Sequence, residues 1–427
     1  DCSDHEVNAK IWLDVEVNAG KINEEQRNGL LNEMTNDIER LVLRDNSLQT
    51  HLLVREEQAQ ADGAVLDGYA ELIAALEAEG ALSRELEQLP NEIELSHRKA
   101  DGLGLTTPEL AVVVANVKNR FKRLMAERDL VSSPWADTLL KPYFPEMMVA
   151  TRSALDHPLA NAILATVLAN EVVNRCGPLM VAQLASQYQV AQQDVVIAWA
   201  QAWAALNLAP LYEALDAQAL KVPRQVSMDV DARSRALQKG MMEGILSLPK
   251  GSDNSAALQQ LQSIFADSSL LTQLMGNEEW PALDGVEAGF AHAAKAVDAL
   301  SGVASFLFAS LSVNRPADMD LEQFMRVGMQ LRQQTGIASL ERGLKQSVEG
   351  ASQQQLRDFA QHALQRAQQG LLSHVLQGKD AGSDDAIANL VAKLGTAATT
   401  TLHGDLAQVM LQTWALSEAA NRVQEAA

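Results

Sequence analysis

Cysteine occurs only twice in 427 residues, at Cys2 and Cys176. That excludes a disulfide scaffold and a four-thiolate zinc site, and both are expected to be free thiols in a reducing cytoplasm. Aromatics make up 4% of the chain, and alternating β-branched runs bounded by turns are nearly missing, which argues against a sheet protein. Basic residues are also short: 34 Lys and Arg face 55 Asp and Glu, for a formal charge of -21. Nucleic-acid binders need a dense cationic face to neutralise phosphates, and no such surplus exists, so no nucleic-acid partner is expected. The longest apolar stretch, Gly302 to Val313, is broken by Ser305 and Ser310 and falls short of the roughly 18–20 residues that span a bilayer. No membrane association is expected. A basic, apolar leader is missing and the first residue is Asp1 rather than Met, so a piece of a longer protein is expected.

What is present is Ala and Leu at helical spacing, with 47% apolar residues, enough to build sizeable cores. The fold class read from this is all-α, a multi-helix array of amphipathic helices in two helical subdomains. From Asn23, a cap-like Asn-Glu-Glu-Gln leads into Leu30, Leu31, Met34, Ile38, Leu41 and Val42 on one face, and Asp45-Asn46 is expected to end that helix before another starts near Ser47. Thr106 and Glu109 stand at capping-box spacing around Pro108, the clearest helix start in the chain. A further helix runs from about Pro158 to Gly177-Pro178, and later ones cover roughly Asp284 to Ser312, Asp318 to Gln334, Ile337 to Glu349, Ser352 to Gln377 and Asp405 to Gln424. The string from Pro249 to Asn254 combines helix breakers and turn formers and reads as a linker.

Few constellations could carry chemistry. Gly102 and Gly104 precede a capping box and belong to no βαβ unit, so no dinucleotide site is expected. Glu94 and His97 have the spacing of a di-iron ligand pair, but such a site needs two such motifs and more glutamates, so no metal is expected. Lys118, Arg120, Lys122 and Arg123 crowd the second half of a helix, where cations complement the negative end. Trp199 and Trp203, one turn apart, read as core packing, and His157 as the flank of a helix start. The unusual string is the first, Asp1-Cys2-Ser3-Asp4-His5-Glu6-Val7-Asn8. Its neighbours point in different directions on a helix and form no triad.

That string resembles the segment closing the catalytic domain of the large bacterial NAD-specific glutamate dehydrogenases. The resemblance continues through Gln26-Arg27-Asn28, Leu30 to Thr35, Leu41 to Asn46, Gly104-Leu105-Thr106, Pro108 to Val112, Ala165 to Asn170 and Val173-Asn174-Arg175. It covers about Asp1 to Leu248. It implies residues 1–20 as the tail of a catalytic domain and 21–248 as a helical domain of the family's C-terminal region; residues 255–427, beyond the linker, are expected from their amphipathic helices to form a terminal helical bundle. It also implies an enzyme that oxidatively deaminates L-glutamate to 2-oxoglutarate and ammonium with NAD, the cofactor being held upstream of this chain and not by it. Ser3, with Glu6, fits the end of the family's Gly-Val-x-x-Ser-x-x-Glu string, whose serine binds the substrate γ-carboxylate. No catalytic residue is assigned here. The resemblance further implies the protein's own upstream catalytic domains as partner, a homo-oligomer, and a cytoplasmic location. The alternative is a freestanding helical interaction module.

Overall fold

The computed structural model describes residues 4–60, 63–150, 152–218, 221–249, 254–267, 269–275, 287–344, 351–377, 380–398 and 406–425. Among them the secondary structure is helical, without strand. The chain divides into two compact units, Asp1–Lys239 with Glu279–Val297, and Gly240–Glu278 with Asp298–Ala427. Of the expected linker, residues 250–253 lie outside the described residues.

The first stretch of chain forms α1 (Asp4–Asn18), α2 (Glu24–Glu33), α3 (Thr35–Ala59), α4 (Gly63–Ala78), α5 (Arg84–Glu87), α6 (Glu92–Ala100), α7 (Thr107–Ala126) and α8 (Ala136–Leu140). It continues through α9 (Glu146–Val149), α10 (Ala160–Cys176), α11 (Met180–Tyr188), α12 (Gln192–Ala205), α13 (Ala209–Asp216) and α14 (Arg224–Leu246). At the centre of the first unit α7 packs along α10. The inner face of α7 is Leu110, Val113, Val114, Val117, Phe121 and Met125, the stripe its periodicity predicts. Helix α10 is buried on most sides, from Ile163 and Leu164 through Val172 to Cys176, as expected of a helix apolar nearly all round. The α7 start is as read: the Glu109 carboxylate accepts the Thr106 N–H at 2.7 Å.

Two expectations about helix boundaries are corrected. The run beginning at Asn23 divides at Met34, where the Thr35 hydroxyl donates back to the Leu31 carbonyl, a bond that bends helices. Helix α3 then continues through Asp45-Asn46 without stopping. Asp usually leaves a helix because its carboxylate competes for backbone donors, but that of Asp45 is taken up by His5 and Arg44.

The rest of the chain forms α15 (Ser255–Ala266), α16 (Ser269–Met275), α17 (Ala288–Ser301), α18 (Ala304–Ala309), α19 (Leu321–Gln334), α20 (Ile337–Leu344), α21 (Ala351–Val375), α22 (Asp384–Leu394) and α23 (Leu406–Glu425). In the second unit α21 and α23 lie side by side with α20 against both. The single helix expected from about Asp284 to Ser312 is broken at Gly302–Val303, and residues 284–286 lie outside the described ones. The Gly302 carbonyl accepts from the Arg332 guanidinium at 2.8 Å. Arg332 is buried, bonded twice to Glu341 and set over the Phe306 ring, so one cation fastens α19, α20 and the turn after α17.

Among the described residues no single helix is long and apolar enough to cross a membrane.

Candidate functional site: a polar joint around the first helix

Ser3 lies outside the described residues, and α1 begins immediately after it. His5, in the first turn of α1, is 1% exposed. Its Nδ1 is 2.9 Å from the Tyr143 carbonyl oxygen and its Nε2 is 3.1 Å from Asp45 Oδ2. Each ring nitrogen thus faces an acceptor, a carbonyl on one side and a carboxylate on the other. The ring also stacks, tilted, on Tyr143 at 4.3 Å.

One turn further on, the Asn8 amide donates to the Tyr143 hydroxyl at 2.8 Å. The Asn8 carbonyl accepts from His157 Nε2 at 3.0 Å, while His157 Nδ1 accepts the Leu159 N–H. His157 is therefore the neutral Nε2–H tautomer. Burial lowers its pKa, against the pull of the bond to Asn8. It flanks the start of α10 as the sequence suggests, but as a buried clamp on α1. Trp12 completes the joint, edge-on to Phe144 at 5.0 Å and to His157 at 5.6 Å, beneath the Arg152 guanidinium. The aromatic loop Tyr143-Phe144 is thus the seat of α1.

From Asp45 a chain of alternating charges runs inward. Arg44 bonds Asp45 at 3.0 Å and stands 3.9 Å from Glu171; Glu171 pairs with Arg175 at 2.7 Å, and Arg175 with Asp216 at 2.9 Å. Burial works against the Arg175 guanidinium, but Asp216 and Glu171 outweigh it and hold its pKa above the ordinary value. Its face covers the Tyr212 ring at 4.4 Å and the Trp203 ring at 5.1 Å. Of the basic cluster on α7, Arg120 pairs with Glu79, whereas Lys118 Nζ is enclosed without a hydrogen-bond partner. Burial pushes the Lys118 amine down to about 8, against the attraction of Asp45 and Glu171.

A second buried group adjoins it. Glu56, 2% exposed, accepts the Tyr69 hydroxyl at 2.8 Å and pairs with Arg55 and Arg235 at 3.2 and 3.3 Å. Arg55 also donates to the Asn174 carbonyl, fastening α3 to α10. Burial, then the charge of Glu56, keeps the Tyr69 hydroxyl well above its usual range.

The remaining sequence candidates have structural roles. Glu94 accepts the Asn91 N–H at 2.8 Å as part of a capping box. The space beside Gly104 is filled by Gln60, whose amide oxygen would stand 2.7 Å from an added Cβ and which bonds both the N–H and the carbonyl of Leu105. Trp199 and Trp203 stack at 4.8 Å inside the core. Cys176 is a free, buried thiol that burial pushes up to about 12.

The comparisons bear directly on this joint. A family model described as glutamate dehydrogenase, C-terminal, matches residues 102–414. The chain belongs to that family. A model of the bacterial NAD-glutamate dehydrogenase catalytic domain matches residues 1–56. A protein of Halomonas elongata named NAD-specific glutamate dehydrogenase is 36% identical over 227 residues, 53% of this chain and 14% of that protein. One of the same name from Mycobacterium tuberculosis is 33% identical over 235 residues, 55% of this chain and 14% of that protein. The one from Pseudomonas aeruginosa is 36% identical over 186 residues, 43% and 11%. The chain therefore spans about a seventh of the length of the first two relatives. The family match favours the glutamate dehydrogenase reading over a freestanding module. It also gives the joint its meaning: His5, Asn8, Trp12, Asp45 and Arg55 fall in the catalytic-domain match, and Tyr143, His157, Glu171 and Asn174 in the C-terminal match.

An acid-stability prediction follows from Asp45. Burial disfavours its carboxylate, but the hydrogen bond from His5 and the charge of Arg44 outweigh burial, and its pKa is lowered. A depressed carboxylate contributes stability that is present above its unfolded value, near 3.9, and is lost as pH falls through the folded value. Urea midpoints of this chain should therefore drop as pH is taken from about 5 towards 3, and Asp45→Asn should flatten that drop. Parallel curves for the two proteins would show that Asp45 contributes nothing to it.

Proposed function

We propose that this chain is the helical C-terminal region, together with the end of the catalytic domain, of an NAD-specific glutamate dehydrogenase that oxidatively deaminates L-glutamate to 2-oxoglutarate and ammonium. The observation that carries the reading is the joint itself. Helix α1, in the catalytic-domain match, is seated by buried hydrogen bonds on the Tyr143–His157 segment of the C-terminal match. The helical array is accordingly a brace for the segment of catalytic domain that precedes it.

Gly104 does not fit a pyrophosphate cradle. The space beside Gly104, where a backbone would have to approach phosphate, is occupied by Gln60. We assign NAD to the part of the enzyme outside this chain.

Ser3 is the substrate-binding residue we assign. Its hydroxyl would donate to the γ-carboxylate of glutamate. Losing one hydrogen bond to a charged group costs about 1.5–3 kcal/mol. Ser3→Ala in the full-length enzyme should therefore lower kcat/KM for glutamate roughly ten- to a hundred-fold, with NAD affinity hardly moved. A serine that only caps α1 would instead lose about 1 kcal/mol of stability. A lowered melting temperature with unchanged kcat/KM would end the substrate assignment.

A further inference from the structure

We propose that the outer face of α1, the aliphatic stripe Val7, Ile11 and Val15, is covered in the full-length protein by the part of its own catalytic domain that precedes this chain. The inference rests on the reading of α1 as belonging to the end of that domain, and it adds the face on which the rest of the domain sits.

Helix α1 carries apolar side chains on two faces. Ala9, Trp12 and Leu13 are buried with His5, Trp12 against Phe144 and His157. Val7, Ile11 and Val15 stand at i, i+4 and i+8 and form a single stripe on the other side. That stripe is open: Val7 and Val15 are 45% and 44% exposed, and Ile11 is half-buried. Isolated apolar residues on a surface are ordinary, but a helix apolar on opposite faces belongs between two layers, as α10 in the same unit is buried on most sides. The rim of the stripe is charged yet neutralised, Glu6 pairing with Lys10 and Asp14 with Arg27 of α2. An apolar centre with a paired polar rim suits another protein surface. Helix α2, packed beside α1, is capped at Asn23 but buries no residue, and so short a helix is marginal in water unless tertiary packing holds it. The occupant follows from where these helices belong. The catalytic-domain match, residues 1–56, includes both, and this chain spans only 14% of the Halomonas and Mycobacterium relatives. Segments of one domain share one core, so the body of the catalytic domain closes over α1 on the side that the C-terminal region leaves open.

The test is made in the full-length enzyme. Val7→Cys and Val15→Cys are treated under native conditions with a water-soluble maleimide, and the modified peptides are quantified by mass spectrometry. Leu103→Cys, at a 58% exposed position of the C-terminal match, sets the rate of an open site. Both thiols on α1 should react at least about ten-fold more slowly, because a covered thiol reacts only when its contact opens. A photoactivatable benzophenone amino acid in place of Val15 should then cross-link to a peptide from the upstream catalytic domain of the same polypeptide. Rates within about two-fold of Leu103→Cys overturn the docking face. A cross-linked product of two polypeptides assigns the face to a second copy and overturns the proposal as well. Neither result touches the reading of the chain as the end of a glutamate dehydrogenase, which fails separately if the full-length protein does not oxidise glutamate with NAD.

Discussion

Replacing Arg175 with methionine should unfold the first unit at a markedly lower temperature than any surface substitution could achieve. The guanidinium is buried, bonds Glu171 and Asp216 at 2.7 and 2.9 Å, and covers Tyr212 and Trp203. Methionine fills much of the volume but leaves two enclosed carboxylates, and stranding a buried charge costs about 3–5 kcal/mol. For a unit of this size that is roughly 2–4 °C per kcal/mol, or on the order of 6–20 °C in Tm. Calorimetry measures it. Adding Glu171→Gln and Asp216→Asn to Arg175→Met should recover part of the loss, since replacing a whole buried ionic group by neutral side chains is far less costly than breaking it. A drop below about 1 kcal/mol for the single variant, the scale of an exposed pair, would mean that water reaches these carboxylates.

Trp199→Ala should be comparably damaging, for a different reason. Trp199 is fully buried and stacked on Trp203, and truncating a buried tryptophan costs about 3–5 kcal/mol. Its indole N–H donates to the side-chain carbonyl of Gln238, whose amide donates to the Tyr212 hydroxyl at 2.7 Å; that hydroxyl shares a further hydrogen bond with the Ser234 hydroxyl. Trp199→Phe retains most of the ring but leaves the buried Gln238 oxygen unpaired, a loss of about 1–3 kcal/mol. Urea unfolding of the two variants should therefore separate packing from hydrogen bonding. Equal losses would show that the Gln238 bond contributes nothing beyond volume.

The sequence features that were legible share one property: their determinants are local. Thr106, Pro108 and Glu109 lie within one turn, so the start of α7 is readable from spacing, and the apolar stripe of α7 follows from a 3.6-residue period. Trp199 and Trp203 one turn apart read correctly as core. The polar string before Val7 drew notice as unusual, but its use could not be read. The partners of His5 are 40 and 138 residues away, and no periodicity connects them. His157 was legible as a helix flank, not as a clamp on α1, because that role depends on the Asn8 carbonyl 149 residues earlier.

The amino-acid sequence by itself determined the all-helical class, most helix starts and the family, because caps, periodic apolar faces and ordered motif strings are properties of neighbouring residues. Tertiary structure decided where polar groups could be buried. Asp45-Asn46 would end a helix in isolation, yet α3 runs through it because His5 and Arg44 take up the Asp45 carboxylate. The helix expected to reach Ser312 stops instead where the Gly302 carbonyl turns to Arg332. In both places the local preference is worth a fraction of a kcal/mol to about one, and a buried charged group left without its partner costs several times that; the long-range partner therefore prevails.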